Sequence, residues 1–153
     1  MKLLNIGGKD YKIMFTFEAA LYRECVEKVT DLILGIAEGA AHESINVLKS
    51  SMSDIPGATI IMFHAGLMEE NPTSNISETK ELLKQYFREN KDHETGNFYG
   101  FMQLLLECMG DDGFFRQIGL EQMANQIEEE TDTGIEKIAQ DHKRRTRKTS
   151  DKS

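Results

Sequence analysis

The sequence predicts a mainly α protein: a single helical domain of five or six helices, a small N-terminal β-hairpin and a disordered C-terminal tail. Three observations carry this expectation. After Thr16, apolar residues recur every three or four positions over most of the chain. Before it, two short apolar runs flank Gly7-Gly8, a dipeptide suited to primed hairpin turns, which need positive φ. Beyond Ile127 the apolar supply fails, leaving too little surface to offset the entropy of ordering. The 153 residues suit one domain, expected at 1–130, with 131–153 as a flexible tail.

Each element has its own reason. Leu3-Leu4-Asn5-Ile6, a turn at Gly7-Gly8-Lys9-Asp10, and Tyr11-Lys12-Ile13-Met14-Phe15 make a hairpin over 2–15. A lone hairpin is marginal in water, so this one must pack on helices. Thr16 is a good N-cap, Glu18 suits the first turn, and Phe17, Leu21, Cys25 and Val29 form a stripe, predicting a helix over 16–29. Ala41, Ile45 and Leu48 predict a second from Ala37 to Lys49, after a break at Gly35. Asp54, with Pro56 near the first turn, starts a third that is apolar nearly all round and ends by Glu70, before Asn71-Pro72. Ser77 and Glu78 start a fourth with Leu82, Leu83, Tyr86 and Phe87 as its stripe. A fifth runs from Asn97 to Cys108 with Phe98, Phe101, Met102 and Leu105 on one face, followed by a turn at Met109-Gly110-Asp111-Asp112-Gly113. Phe114 to Ile127 fits one or two short helices. Disorder is expected from 131, with a transient helix near Ile135–Ala139.

The charge divides the chain. Residues 142–153 hold six basic residues and one acid, a charge of +5, while the preceding 141 hold 12 basic and 25 acidic, or −13. Such a body repels nucleic acid, so phosphate attraction is left to the tail. No apolar run approaches the roughly 18 residues that span a bilayer, and Met1 to Gly7 lacks a signal-peptide core, so a soluble intracellular protein is expected. Cys25 and Cys108 are far apart, without a CxxC knuckle, and read as reduced half-buried thiols.

No residue of the sequence stands in a catalytic motif. His42, His64, His93 and His142 are dispersed and none sits in an HExxH-like frame. His64 reads as a packed, hydrogen-bonded histidine. Glu69-Glu70 and Asp111-Asp112 lack the spacing of a calcium loop and read as solvated turn residues. Gly7-Gly8-Lys9 is no phosphate loop, and neither GxSxG nor GxGxxG occurs. An enzyme is therefore not expected, nor a cofactor or a metal. Eight Met and eight Phe remain. Most such residues form cores, and a subset can form an adaptable groove for partner helices.

The order of elements, from Leu4-Asn5-Ile6-Gly7-Gly8-Lys9-Asp10-Tyr11 through Thr16-Phe17-Glu18-Ala19-Ala20-Leu21, resembles the tail assembly chaperones of long-tailed bacteriophages. Met62-Phe63-His64-Ala65-Gly66-Leu67, Leu82-Leu83-Lys84-Gln85-Tyr86-Phe87 and Phe98-Tyr99-Gly100-Phe101-Met102-Gln103 extend the resemblance, which covers roughly residues 2–110. It implies a non-enzymatic protein that binds the tape measure protein, keeps it soluble and helps recruit tail tube protein. It implies action in the host bacterial cytoplasm and absence from the mature virion, and self-association is compatible with coating a rod. The residues expected to line a partner groove are Met62, Phe63, Leu67, Met68, Phe101, Met102, Phe114 and Phe115. Two alternatives stand beside this reading: a head–tail connector or minor tail protein, and a regulatory adaptor whose basic tail touches nucleic acid.

Overall fold

Two glycines with φ of 61° and 80°, Gly7 and Gly8, close an antiparallel hairpin of β1 (Lys2–Ile6) and β2 (Lys9–Ile13). The computed structural model describes residues 1–42, 45–71, 75–123 and 125–126; for 34–42 and 45–51 it describes the backbone alone. Within residues 1–118 six helices follow the hairpin: α1 (Phe17–Leu21), α2 (Arg23–His42), α3 (Ile45–Leu67), α4 (Ile76–Glu89), α5 (Phe98–Asp111) and α6 (Phe114–Gln117). The protein is mainly helical with an N-terminal two-stranded hairpin, as expected. No described helix is long and apolar enough to cross a membrane.

Several boundaries differ from the expectation. The helix predicted over 16–29 breaks at Tyr22, whose ψ of 94° is extended. Thr16 does not cap it through its side chain; its hydroxyl instead donates to Glu69 Oε2 at 2.9 Å. α2 then runs through Gly35, and α3 runs through Pro56, which the sequence placed at a helix start. Proline removes one backbone donor and crowds the carbonyl four residues earlier, that of Met52. Met52 is 56% exposed. Thr59 Oγ1 donates to the Ile55 carbonyl at 2.6 Å, satisfying a buried hydroxyl in the next turn. Tertiary packing on both sides of a helix thus outweighs breakers that would end an isolated one.

The later helices follow their caps. Asn75 Oδ1 accepts the Glu78 N–H at 3.0 Å and Asn97 Oδ1 accepts the Gly100 N–H at 2.9 Å. α5 continues past Cys108 to Asp111, so Met109 is a buried helical residue and not part of a turn.

α3 is the centre of the packing and touches α1, α2, α4, α5 and β2. Ile13 and Phe15 carry the hairpin into the same core, and the Met14 N–H reaches Gly66 O at 2.9 Å. Edge-to-face rings fill the interior, with Phe63–Phe101 at 5.1 Å and Phe15–Phe114 at 5.8 Å between centroids.

The chain divides into two units, 1–118 and 119–153. The first closes before the expected boundary at 130, next to Gly119 with φ of 79°. In the second, residues 120–123 are helical. The expected disorder from 131, the transient helix at 135–139 and the basic run at 142–153 lie outside the described residues.

Candidate partner-binding surface

Six of the eight residues expected to line a groove are interior. Met62, Phe63 and Leu67 on α3, Phe101 and Met102 on α5, and Phe114 on α6 are all buried in the shared core. The structure does bring them together, but against each other and the hairpin, with no open face between them. Met68 and Phe115 are half-buried at its margin. The reason is the placement of α3. Flanked by four other helices and a strand, α3 spends Met62, Phe63 and Leu67 on internal packing.

The exposed apolar residues lie elsewhere. Phe17 and Leu21 on α1 are 63% and 64% exposed and, four residues apart, occupy one face. The sequence grouped them with Cys25 and Val29, yet those two are fully buried. The break at Tyr22 separates the pairs: Ala19 turns inward from α1, while Phe17 and Leu21 turn outward. The Tyr22 ring lies 5.7 Å from the His64 ring on α3. No glycine or proline marks this break, so local pattern could not place it.

The titratable groups are structurally engaged. His64 Nδ1 and Thr79 Oγ1 share a 2.7 Å hydrogen bond, joining α3 to α4. Burial pushes the His64 pKa down, and the Glu24 charge opposes that only in part, as fits a packed neutral histidine. Glu69 accepts the Thr16 hydroxyl, and Glu70 pairs with Lys12 at 3.7 Å. Asp112 is no solvated turn residue. Its carboxylate accepts the Phe15 N–H at 2.9 Å and pairs with the Met1 ammonium. Burial alone would raise its pKa, but these donors outweigh burial and hold it below the usual aspartate value. Both cysteines are buried free thiols, and burial pushes Cys25 up to about 12.

A cleft of about 830 Å³ lies between β2 and α4. In it, Lys9 Nζ sits over the Tyr11 ring at 5.1 Å. No group of three or more His, Cys, Asp or Glu set to hold a metal ion occurs among the described residues.

No family model, curated protein or solved structure matches this chain.

Proposed function

We propose that the protein is a phage tail assembly chaperone that binds the tape measure protein, keeps it soluble and helps recruit tail tube subunits. The observation that carries the reading is the solvent-facing pair Phe17 and Leu21, on a body whose other large side chains are mostly packed inside. A long amphipathic helical polymer exposes an apolar stripe until it is assembled. A small body with an i, i+4 apolar pair can cover such a stripe through many weak copies. An acidic body, −13 without the last twelve residues, keeps the complex dispersed. The resemblance over residues 2–110 points to the same role.

The site is thereby moved from the expected groove to α1, with Met68 and Phe115 as marginal contributors. Recruitment of tube subunits is assigned to the charge-segregated end beyond residue 127. Co-expression with a tape measure protein, a very long amphipathic helical chain, tests the reading. The partner stays in the supernatant with the wild-type chain and precipitates with Phe17→Asp/Leu21→Asp. Equal solubility with both, or without either, contradicts it.

A further inference from the structure

The outer edge of β1 and the cleft beside it serve none of the roles above. The two-residue turn makes Ile6 and Lys9 the closing hydrogen-bonded pair, so Leu4↔Tyr11 and Lys2↔Ile13 are bonded pairs as well. The N–H and C=O groups of Leu3 and Asn5 therefore point away from β2. The same alternation sends the Lys12 C=O and Met14 N–H to the far side of β2, where Asn71 Nδ2 and Gly66 O meet them at 3.0 and 2.9 Å. Among the described residues nothing meets the Leu3 and Asn5 backbone groups in that way. At the turn, the Glu89 carboxylate takes the Gly7 N–H at 3.0 and 3.2 Å, so the open edge runs from Leu3 to Asn5. Leu3 itself is 60% exposed.

Alongside Lys2 and Leu4 lies a cleft of about 420 Å³, walled by Gln103 and Glu107 of α5 and by His93 and Glu94 of the preceding loop. A strand edge facing a helix across a cleft is the arrangement used for strand addition, where backbone bonds supply affinity and alternate side chains supply specificity. We propose that β1 accepts an extended peptide as a third strand, with Lys or Arg on the side chains that face α5.

Charge selects this occupant. Glu94 and Glu107 in the cleft outnumber Lys2, and Glu89 stands at the turn end. A second copy pairing through the same edge would bring both sets of acids together, which like-charge repulsion opposes. A basic extended segment meets them with opposite charge. The proposal is independent of the chaperone reading, which uses α1.

The test is fluorescence anisotropy on the full chain with a labelled eight-residue probe of alternating Lys and Val. A Glu-for-Lys counterpart and two N-methylated versions, each blocking one set of alternate amides, complete the set. The basic probe binds at least about tenfold tighter than the acidic one, and Glu107→Lys reverses the preference. One methylated version loses binding and the other keeps it. Leu3→Pro removes an outward N–H, which proline tolerates on an edge, and weakens binding about five- to tenfold. Should that variant fail to fold, the methylated probes on wild-type protein decide alone. The proposal is overturned by no binding at millimolar probe, by equal binding of both methylated probes, or by unchanged affinity in folded Leu3→Pro. It is overturned too by a wild-type dimer that Leu3→Pro converts to monomer, since a second copy would then own the edge.

Discussion

Phe15 and Asp112, 97 positions apart, are joined by a 2.9 Å hydrogen bond from the Phe15 N–H to Asp112 Oδ2. This bond closes the end of β2 onto the C-cap of α5, where the same carboxylate meets the Met1 ammonium and the Cys108 thiol at 3.6 Å. One side chain thereby joins three others in tying the hairpin to the helical body: Asn71, which meets the Lys12 C=O, Glu89, which meets the Gly7 N–H, and Cys108, whose thiol meets the Ile13 C=O.

The consequence is a pH dependence with a definite sign. Because the folded Asp112 pKa lies below its unfolded value, its contribution is fully present above the ordinary aspartate range and is lost as pH falls through the folded value. Asp112→Asn removes that dependence and destabilises by roughly 1–3 kcal/mol at pH 7. Urea titrations of both proteins at pH 7 and pH 3 measure it. The gap between them should narrow at pH 3, and a constant gap refutes the assignment.

A second outcome concerns two glycines. A Cβ on Gly66 would come within 2.6 Å of Ile13 Cγ2 and 3.0 Å of Phe15 Cζ, where the hairpin crosses α3. One on Gly110 of α5 would meet nothing within 4 Å. Gly66→Ala should therefore cost about 1–3 kcal/mol by overpacking. Gly110→Ala should be neutral or stabilising by up to about 1 kcal/mol through helix propensity. Chemical denaturation of the two variants separates them, and similar effects would mean the crossing is loose.

The thiols give a third. With Cys25 pushed up to about 12 by burial, and Cys108 raised mainly by burial and then by Asp112, neither presents thiolate at neutral pH. Iodoacetamide at pH 7.5, read by mass spectrometry, should leave both unmodified in the folded chain and label both in urea. Rapid native labelling of Cys25 would show that α2 opens at that point.

Stability separates core from surface in a fourth. Phe63→Ala should cost about 3–5 kcal/mol, since the ring is fully buried against Phe101. Phe17→Ala should change stability by less than about 0.5 kcal/mol, its ring being mostly in water. Thermal melts of the two check this, and a costly Phe17→Ala would place α1 in the core.

Local chemistry was legible where it acts within a few residues. Gly7-Gly8 announced its turn, and Asn75 and Asn97 capped their helices within two residues of the expected starts. Decisions made by distant packing were not legible. Gly35 read as a break and Pro56 as a helix start, yet α2 and α3 pass through them. Met62 and Phe101 carry the same hydropathy whether they face a groove or a core, and only the neighbours of α3 decide between the two. The exposed pair on α1 was hidden inside a regular stripe, because its rotation depends on the bend at Tyr22 and on a ring contact to His64, 42 positions along the chain.

In the proposed function the Phe17–Leu21 face covers an apolar helical partner. The most direct measurement is the amount of soluble partner recovered when a tape measure protein is co-expressed with wild-type chain, with Phe17→Asp/Leu21→Asp, or alone. The expected result is soluble complex with the wild type and precipitate in the other two, while the double variant remains folded by circular dichroism. Full recovery of soluble partner with the folded double variant would contradict the account.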